Sequence, residues 1–132
     1  MKKSLKLRTF RYGDPPKRGE GLAIGTTRRP PRGATKKEWS YDFDVWFPVV
    51  APSAALLSRY KGRDFSDLAI RQRFFRSYER EVYSRAESRQ ALQLLARIAL
   101  RTAISVGCYC ENESHCHRSD LRKLIEREAR RL

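Results

Sequence analysis

Leu5, Leu7, Thr9 and Arg11 alternate with Lys6, Arg8 and Phe10, a period of two that predicts a strand over residues 5–11 stopped by Gly13-Asp14-Pro15-Pro16. The run Leu22-Ala23-Ile24-Gly25-Thr26 is short and apolar, as a buried strand requires. Arg28-Arg29-Pro30-Pro31-Arg32-Gly33 follows and cannot be helical through its prolines, so a rigid basic loop is expected. Trp39, Tyr41, Phe43, Val45 and Phe47 alternate with more polar neighbours, which predicts an extended segment over residues 39–50 closed by Pro48 and Pro52.

The period then changes. From Ser53 the spacing of Leu56, Leu57 and Tyr60 is helical, with Gly62 as a stop. A second helix over about residues 66–83 gathers Leu68, Ile70, Phe74, Phe75, Tyr78 and Val82 largely on one side. Ser84-Arg85-Ala86-Glu87 has the spacing of a capping box, and Leu92, Leu95, Ala96 and Ala99 carry a third helix beyond it. Ile104 to Cys110 reads as a strand, Glu111–Ser114 as a polar turn, and His117 to Leu132 returns to helical spacing through Leu121, Leu124 and Ile125. Strands separated by helices predict an α/β fold: a small, mostly parallel sheet flanked by helices, in a single compact domain over residues 1–132.

Charge adds a polarity to this plan. The 132 residues carry 29 Lys+Arg against 15 Asp+Glu, a formal net charge of +14. Residues 1–37 hold twelve Lys/Arg and only Asp14 and Glu20, so +10 of that total sits on the first third. Such a field draws phosphate-bearing partners over about 8–10 Å at physiological salt. With 40% hydrophobic and 11% aromatic residues, the chain has the apolar material for a core and is unlike a disordered polyelectrolyte. No stretch approaches ~18 uncharged apolar residues and no apolar region follows the basic start, so neither a membrane span nor a signal peptide is expected, and the cytoplasm is the expected compartment.

The candidate chemistry is concentrated. All three cysteines and both histidines fall between Cys108 and Arg118, where a strand's carboxyl end feeds a turn and a helix start, the place at which open α/β sheets bind ligands. An odd number of cysteines confined to one short segment points to reduced, local thiol chemistry rather than a disulfide framework. Cys116, His117 and Arg118 stand at the first turn of the last helix, whose free N–H groups and dipole favour an anion and lower a thiol pKa. Arg118 would add a planar fork for phosphate or carboxylate. The paired spacings of a zinc site are missing. Cys116 to Arg122 has the count of a phosphatase-like loop, but the residues between lack glycine and run into helical spacing. The bland alternative is that the two strand cysteines are small buried hydrophobes.

With these residues in view, the sequence resembles the domain-of-unknown-function family 488 and, within it, the YeaO-like proteins. An apolar strand ending in Cys108-Tyr109-Cys110, followed after five intervening residues by Cys116-His117-Arg118, is similar to the family's Cys-x-Glu and Cys-His-Arg. Arg29-Pro30-Pro31-Arg32-Gly33 with Lys36-Lys37 is similar to its Arg-x-x-Pro-Arg-Gly segment and trailing lysine, and Trp46, Ala51-Pro52-Ser53, Phe74, Tyr78 and Glu81 match later landmarks. Cys110 stands where the family usually has glutamate, and Thr27-Arg28-Arg29 replaces a stretch that often contains aspartate. The resemblance implies an α/β fold and a cytoplasmic, bacterial or archaeal origin; it implies no reaction.

The leading expectation is an enzyme-like pocket in which Arg29, Arg32 and Arg118 bind a phosphate-bearing small molecule or nucleotide. Cys108 or Cys116 would serve as nucleophile or redox thiol, with His117 as proton partner and no cofactor or bound metal. The alternative is a nucleic-acid-binding module using the Lys/Arg of residues 1–37, with the cysteine cluster structural or zinc-binding.

Overall fold

A computed structural model describes residues 5–15, 21–29, 42–109 and 116–132. Its elements are β1 (Leu7–Arg11), β2 (Leu22–Gly25), β3 (Val45–Trp46), α1 (Ala54–Arg59), α2 (Leu68–Ser84), α3 (Ala86–Arg101), β4 (Ile104–Cys108) and α4 (His117–Arg130). The strands form one sheet in the order β1-β4-β2-β3 with every pairing parallel. β4 is therefore central, and all five of its residues are buried, which is why Ile104-Ser-Val-Gly-Cys108 is apolar without alternation.

Register assigns the faces. Leu7 pairs with Ile104 and Ile24 with Val106, and these residues share one core with Leu56 of α1, Tyr78 and Val82 of α2, Leu92 and Leu95 of α3, and Leu121, Leu124 and Ile125 of α4. The helices thus cover one face. On the other, Phe10, Tyr12 and Phe43 form a small aromatic cluster with Ala23 and Trp46. Gly107 belongs to that face, and a Cβ there would lie 2.5 Å from the Phe10 ring, so the ring can lie flat on β4 only over glycine. Full burial of Leu121, Leu124 and Ile125 contributes roughly 1.5–3 kcal/mol each.

Two expected elements differ. Of the expected extended segment 39–50, residues 39–41 lie outside the described residues, and among 42–50 Val45–Trp46 joins the sheet; Pro48, which lacks an N–H to offer a ladder, instead opens a 3-10 turn over Pro48–Val50. The capping box at Ser84 does not form: α2 runs through Ser84, whose hydroxyl donates back to the Glu81 carbonyl oxygen at 3.0 Å, and Arg85 occupies the N-cap of α3 without a side-chain bond. Among the described residues, no helix is long and apolar enough to cross a membrane.

Candidate functional site

Parallel strands bring the carboxyl ends of β2 and β4 to the same edge as the amino end of α4, and the chain is stitched together there. Thr26 follows β2; its N–H and its hydroxyl both donate to the Gly107 carbonyl oxygen of β4 at 3.0 Å. The next residues are fixed from several sides. The Tyr12 hydroxyl meets Thr27 Oγ1 at 2.9 Å, the Thr27 hydroxyl donates to the Arg29 carbonyl at 2.7 Å, and Trp46 Nε1 donates to the Thr27 carbonyl at 2.8 Å. Burial pushes the Tyr12 hydroxyl pKa up to about 12, so it remains a neutral hydrogen-bonding group.

Arg28 is an internal latch. Its Nε donates to the Pro52 carbonyl at 3.0 Å and its Nη2 to the Ala51 carbonyl at 2.9 Å, which holds the segment leading into α1. That segment is held from the other side by α2: Glu81 accepts from the Ser53 N–H at 3.0 Å and from the Ser53 hydroxyl, while Ser53 Oγ accepts from Leu56 N at 3.0 Å as the N-cap of α1. The Tyr78 hydroxyl donates to the Val50 carbonyl. The landmarks that carried the family resemblance, Trp46, Ala51-Pro52-Ser53, Tyr78 and Glu81, thus converge on one scaffold around residues 26–29.

The scaffold frames a cleft of about 820 Å³. Arg28, Arg29 and Lys61 supply cationic wall, Ala54 and Leu57 of α1 supply apolar wall, and Cys108, Tyr109 and His117 stand at the sheet edge. Tyr109 is 45% exposed, packs edge-on against Tyr12 with ring centroids 4.8 Å apart, and donates its hydroxyl to the Arg29 carbonyl at 3.4 Å.

Cys108, Cys116 and His117 come together. Their ligand atoms all lie within 4.8 Å of one another. His117 Nε2–H donates to the Thr26 carbonyl at 2.8 Å, and Nδ1 faces Cys116 Sγ at 3.9 Å. Burial holds the imidazole pKa down at about 4, with the Arg118 and Arg28 cations acting in the same direction against the Thr26 hydrogen bond. Near neutral pH the ring is therefore uncharged, and since a carbonyl can only accept, Nε2 carries the hydrogen and Nδ1 a lone pair.

Two expectations are corrected here. The thiols were expected reduced; instead Cys108, the last residue of β4, and Cys116, the N-cap of α4, form a disulfide, while the expected polar turn Glu111–Ser114 lies outside the described residues. The pairing stays local, eight residues apart. Arg118, expected as a ligand for an anion, is 5% exposed and directs Nη1 at Cys108 Sγ, 3.7 Å away, rather than lining the cleft. Arg29 does line it. Arg32 and Cys110 lie outside the described residues.

Sequence reasoning missed the α1 wall, Lys61, Tyr109 and the latching role of Arg28. Thr-Thr-Arg directly after an apolar strand was a signal for the last of these; nothing in the helical spacing of residues 54–60 announced which face would border a cleft.

A family model described as the active DUF488-N3 subclade matches residues 7–129. The chain belongs to this family. That match runs from the first residue of β1 into the last turn of α4. Neither the curated proteins nor the solved structures yield a match.

Proposed function

We propose that the cleft binds a phosphate-bearing small molecule or nucleotide and that the protein is a cytoplasmic, thiol-dependent enzyme acting on it. The observation that carries this reading is the convergence of Arg28, Arg29 and Lys61 with Cys108 and His117 around one cleft. Guanidinium groups recognise phosphate oxygens through paired N–H bonds, and the positive dipole end of α4 adds to the same field. Arg28 is committed to the Ala51 and Pro52 carbonyls, so Arg29 and Lys61 are assigned the contacts to the ligand. The apolar wall of Ala54 and Leu57 with the exposed Tyr109 ring suits the non-phosphate part of a nucleotide.

On this reading Cys108 is the thiol that meets the ligand, with the Arg118 guanidinium 3.7 Å from its sulfur. The neutral His117 is the proton partner through Nδ1. In a reducing compartment the Cys108–Cys116 disulfide opens and frees both thiols. Arg118 acts on Cys108 and not on the anion, which revises its expected role.

Calorimetry on reduced protein with inorganic phosphate and with AMP tests the reading. Arg29→Ala/Lys61→Ala should weaken binding at least about tenfold, the loss of 1.4 kcal/mol or more that two charge-assisted contacts represent. Equal affinity in the double variant would overturn it. Binding of a long polynucleotide with a steep salt dependence, and no response to AMP, would favour the nucleic-acid module instead.

A further inference from the structure

We propose that the reduced Cys108, Cys116 and His117 form a binding site for one soft divalent cation of the zinc class. The inference needs only the three ligand atoms and does not rest on the phosphate reading. Two thiolate sulfurs and an imidazole nitrogen are the donor set that zinc prefers over harder ions, and here all three lie within 4.8 Å of one another. The spacing rules of sequence motifs fail to flag them because two of the ligands are adjacent and the third comes from the end of a strand.

Three features of the surroundings suit a metal. His117 donates Nε2–H to the Thr26 carbonyl at 2.8 Å, the outer hydrogen bond that orients most metal-bound histidines, and this turns Nδ1 toward the sulfurs. The Cα atoms of Cys108 and Cys116 stand 7.7 Å apart, wider than the roughly 4.4–6.8 Å common between disulfide-linked residues. Two sulfurs on a tetrahedral ion at about 2.3 Å are themselves some 3.8 Å apart and so match a broader backbone span. Cys108 and His117 also border the cleft, which supplies an entry path to sulfurs that are otherwise buried.

The disulfide, the free dithiol and the metal form are three mutually exclusive states of the cluster. Metal binding displaces the two thiol protons to solvent and forms two S–metal bonds and one N–metal bond. It involves no oxidation or reduction, whereas leaving the disulfide requires two electrons from an external thiol reductant, with two protons taken up in the dithiol and none net in the metal form.

The test is anaerobic titration of the reduced full chain with Co²⁺ as the probe. The expected result is thiolate-to-cobalt charge transfer in the near ultraviolet with the visible bands of tetrahedral cobalt, saturating at one equivalent and displaced by Zn²⁺. Cys108→Ser and Cys116→Ser should each reduce the charge-transfer band and weaken binding at least about tenfold. His117→Gln should weaken it while keeping the sulfur band, and the oxidised protein should show none. Absence of the band in reduced wild type, or its survival unchanged in Cys108→Ser, overturns the proposal. A measurement on wild type alone guards against variants that fail to fold. Zn²⁺ should slow alkylation of both Cys108 and Cys116 at least about tenfold, as expected of metal-bound thiolates; unchanged rates overturn the proposal equally.

Discussion

His117 Nε2 donates to the Thr26 carbonyl oxygen across 2.8 Å, joining residues 91 positions apart and tying the first turn of α4 to the end of β2. The bond does two things at once. It fixes the ring so that Nδ1 faces Cys116, and it closes the sheet edge beside Cys108, since Thr26 also holds the Gly107 carbonyl. Burial keeps the ring neutral, with a pKa of about 4.

That depressed pKa makes stability depend on pH. Between about 4 and 6.5 the unfolded chain protonates this imidazole and the folded chain does not, so the folded state loses up to about 3 kcal/mol as pH falls through the window. His117→Gln has no such loss. Urea unfolding at pH 7.5 and 4.5 should show the variant gaining on wild type at the lower pH. A constant difference between the two proteins would refute the buried neutral histidine.

Asp120, three residues on, works in the opposite sense. Burial raises its carboxyl pKa to about 7, against the pull of Lys123 and Arg71. The folded chain therefore holds a proton that the unfolded chain has released, and stability declines as pH rises from about 4 to 7. Asp120→Asn should accordingly gain on wild type by about 2 kcal/mol between pH 4.5 and 8. Wild type thus contains two nearly opposed titrations, each visible only when the other residue is replaced. The same urea experiment checks this, and parallel pH curves would contradict it.

Arg118 is 5% exposed with Nη1 3.7 Å from Cys108 Sγ, so its removal cannot leave the fold untouched, as a surface ligand's would. Arg118→Ala should cost about 2–4 kcal/mol. Arg118→Met keeps much of the packing and isolates the charge: in the reduced protein, alkylation of Cys108 at a fixed neutral pH should slow relative to wild type. An unchanged rate would mean the guanidinium does not act on the sulfur.

Glu81 reaches from α2 to cap the entry of α1 through Ser53. Glu81→Ala leaves the Ser53 N–H without that acceptor and frees one wall of the cleft; a loss of about 1–3 kcal/mol is expected. Hydrogen exchange should rise selectively in residues 53–60. Exchange rising evenly through the core would show that the bond is not local in effect.

Much of the architecture was legible in periodicity, and the reasons are physical. β4 is a short run buried throughout, bounded by helical spacing on its amino side, and α4 holds the 3.6 period that buries Leu121 and Leu124, so each has one reading. Pro48 misled because a proline at the end of an alternating run both closes a strand and starts a helical turn, and only the tertiary position of Val50 under the Tyr78 hydroxyl decides. The site was legible as a composition, Cys108 to Arg118, but not as a geometry. Whether Arg118 points out or in depends on which side of α4's first turn packs on β4, and the disulfide depends on the distance between the end of β4 and the start of α4. The α1 wall carried no signal because Ala54, Leu57 and Ser58 are ordinary helix residues whose importance comes from what faces them.

The central claim is that an anion sits in the cleft over Cys108. Amide-resolved nuclear magnetic resonance of the ¹⁵N-labelled, reduced protein during titration with AMP tests it most directly. The account predicts saturable shifts that are largest at Thr27, Arg29, Tyr109 and His117 and that disappear in Arg29→Ala/Lys61→Ala. Shifts confined to the outer faces of α2 and α4, or none at all, would contradict it.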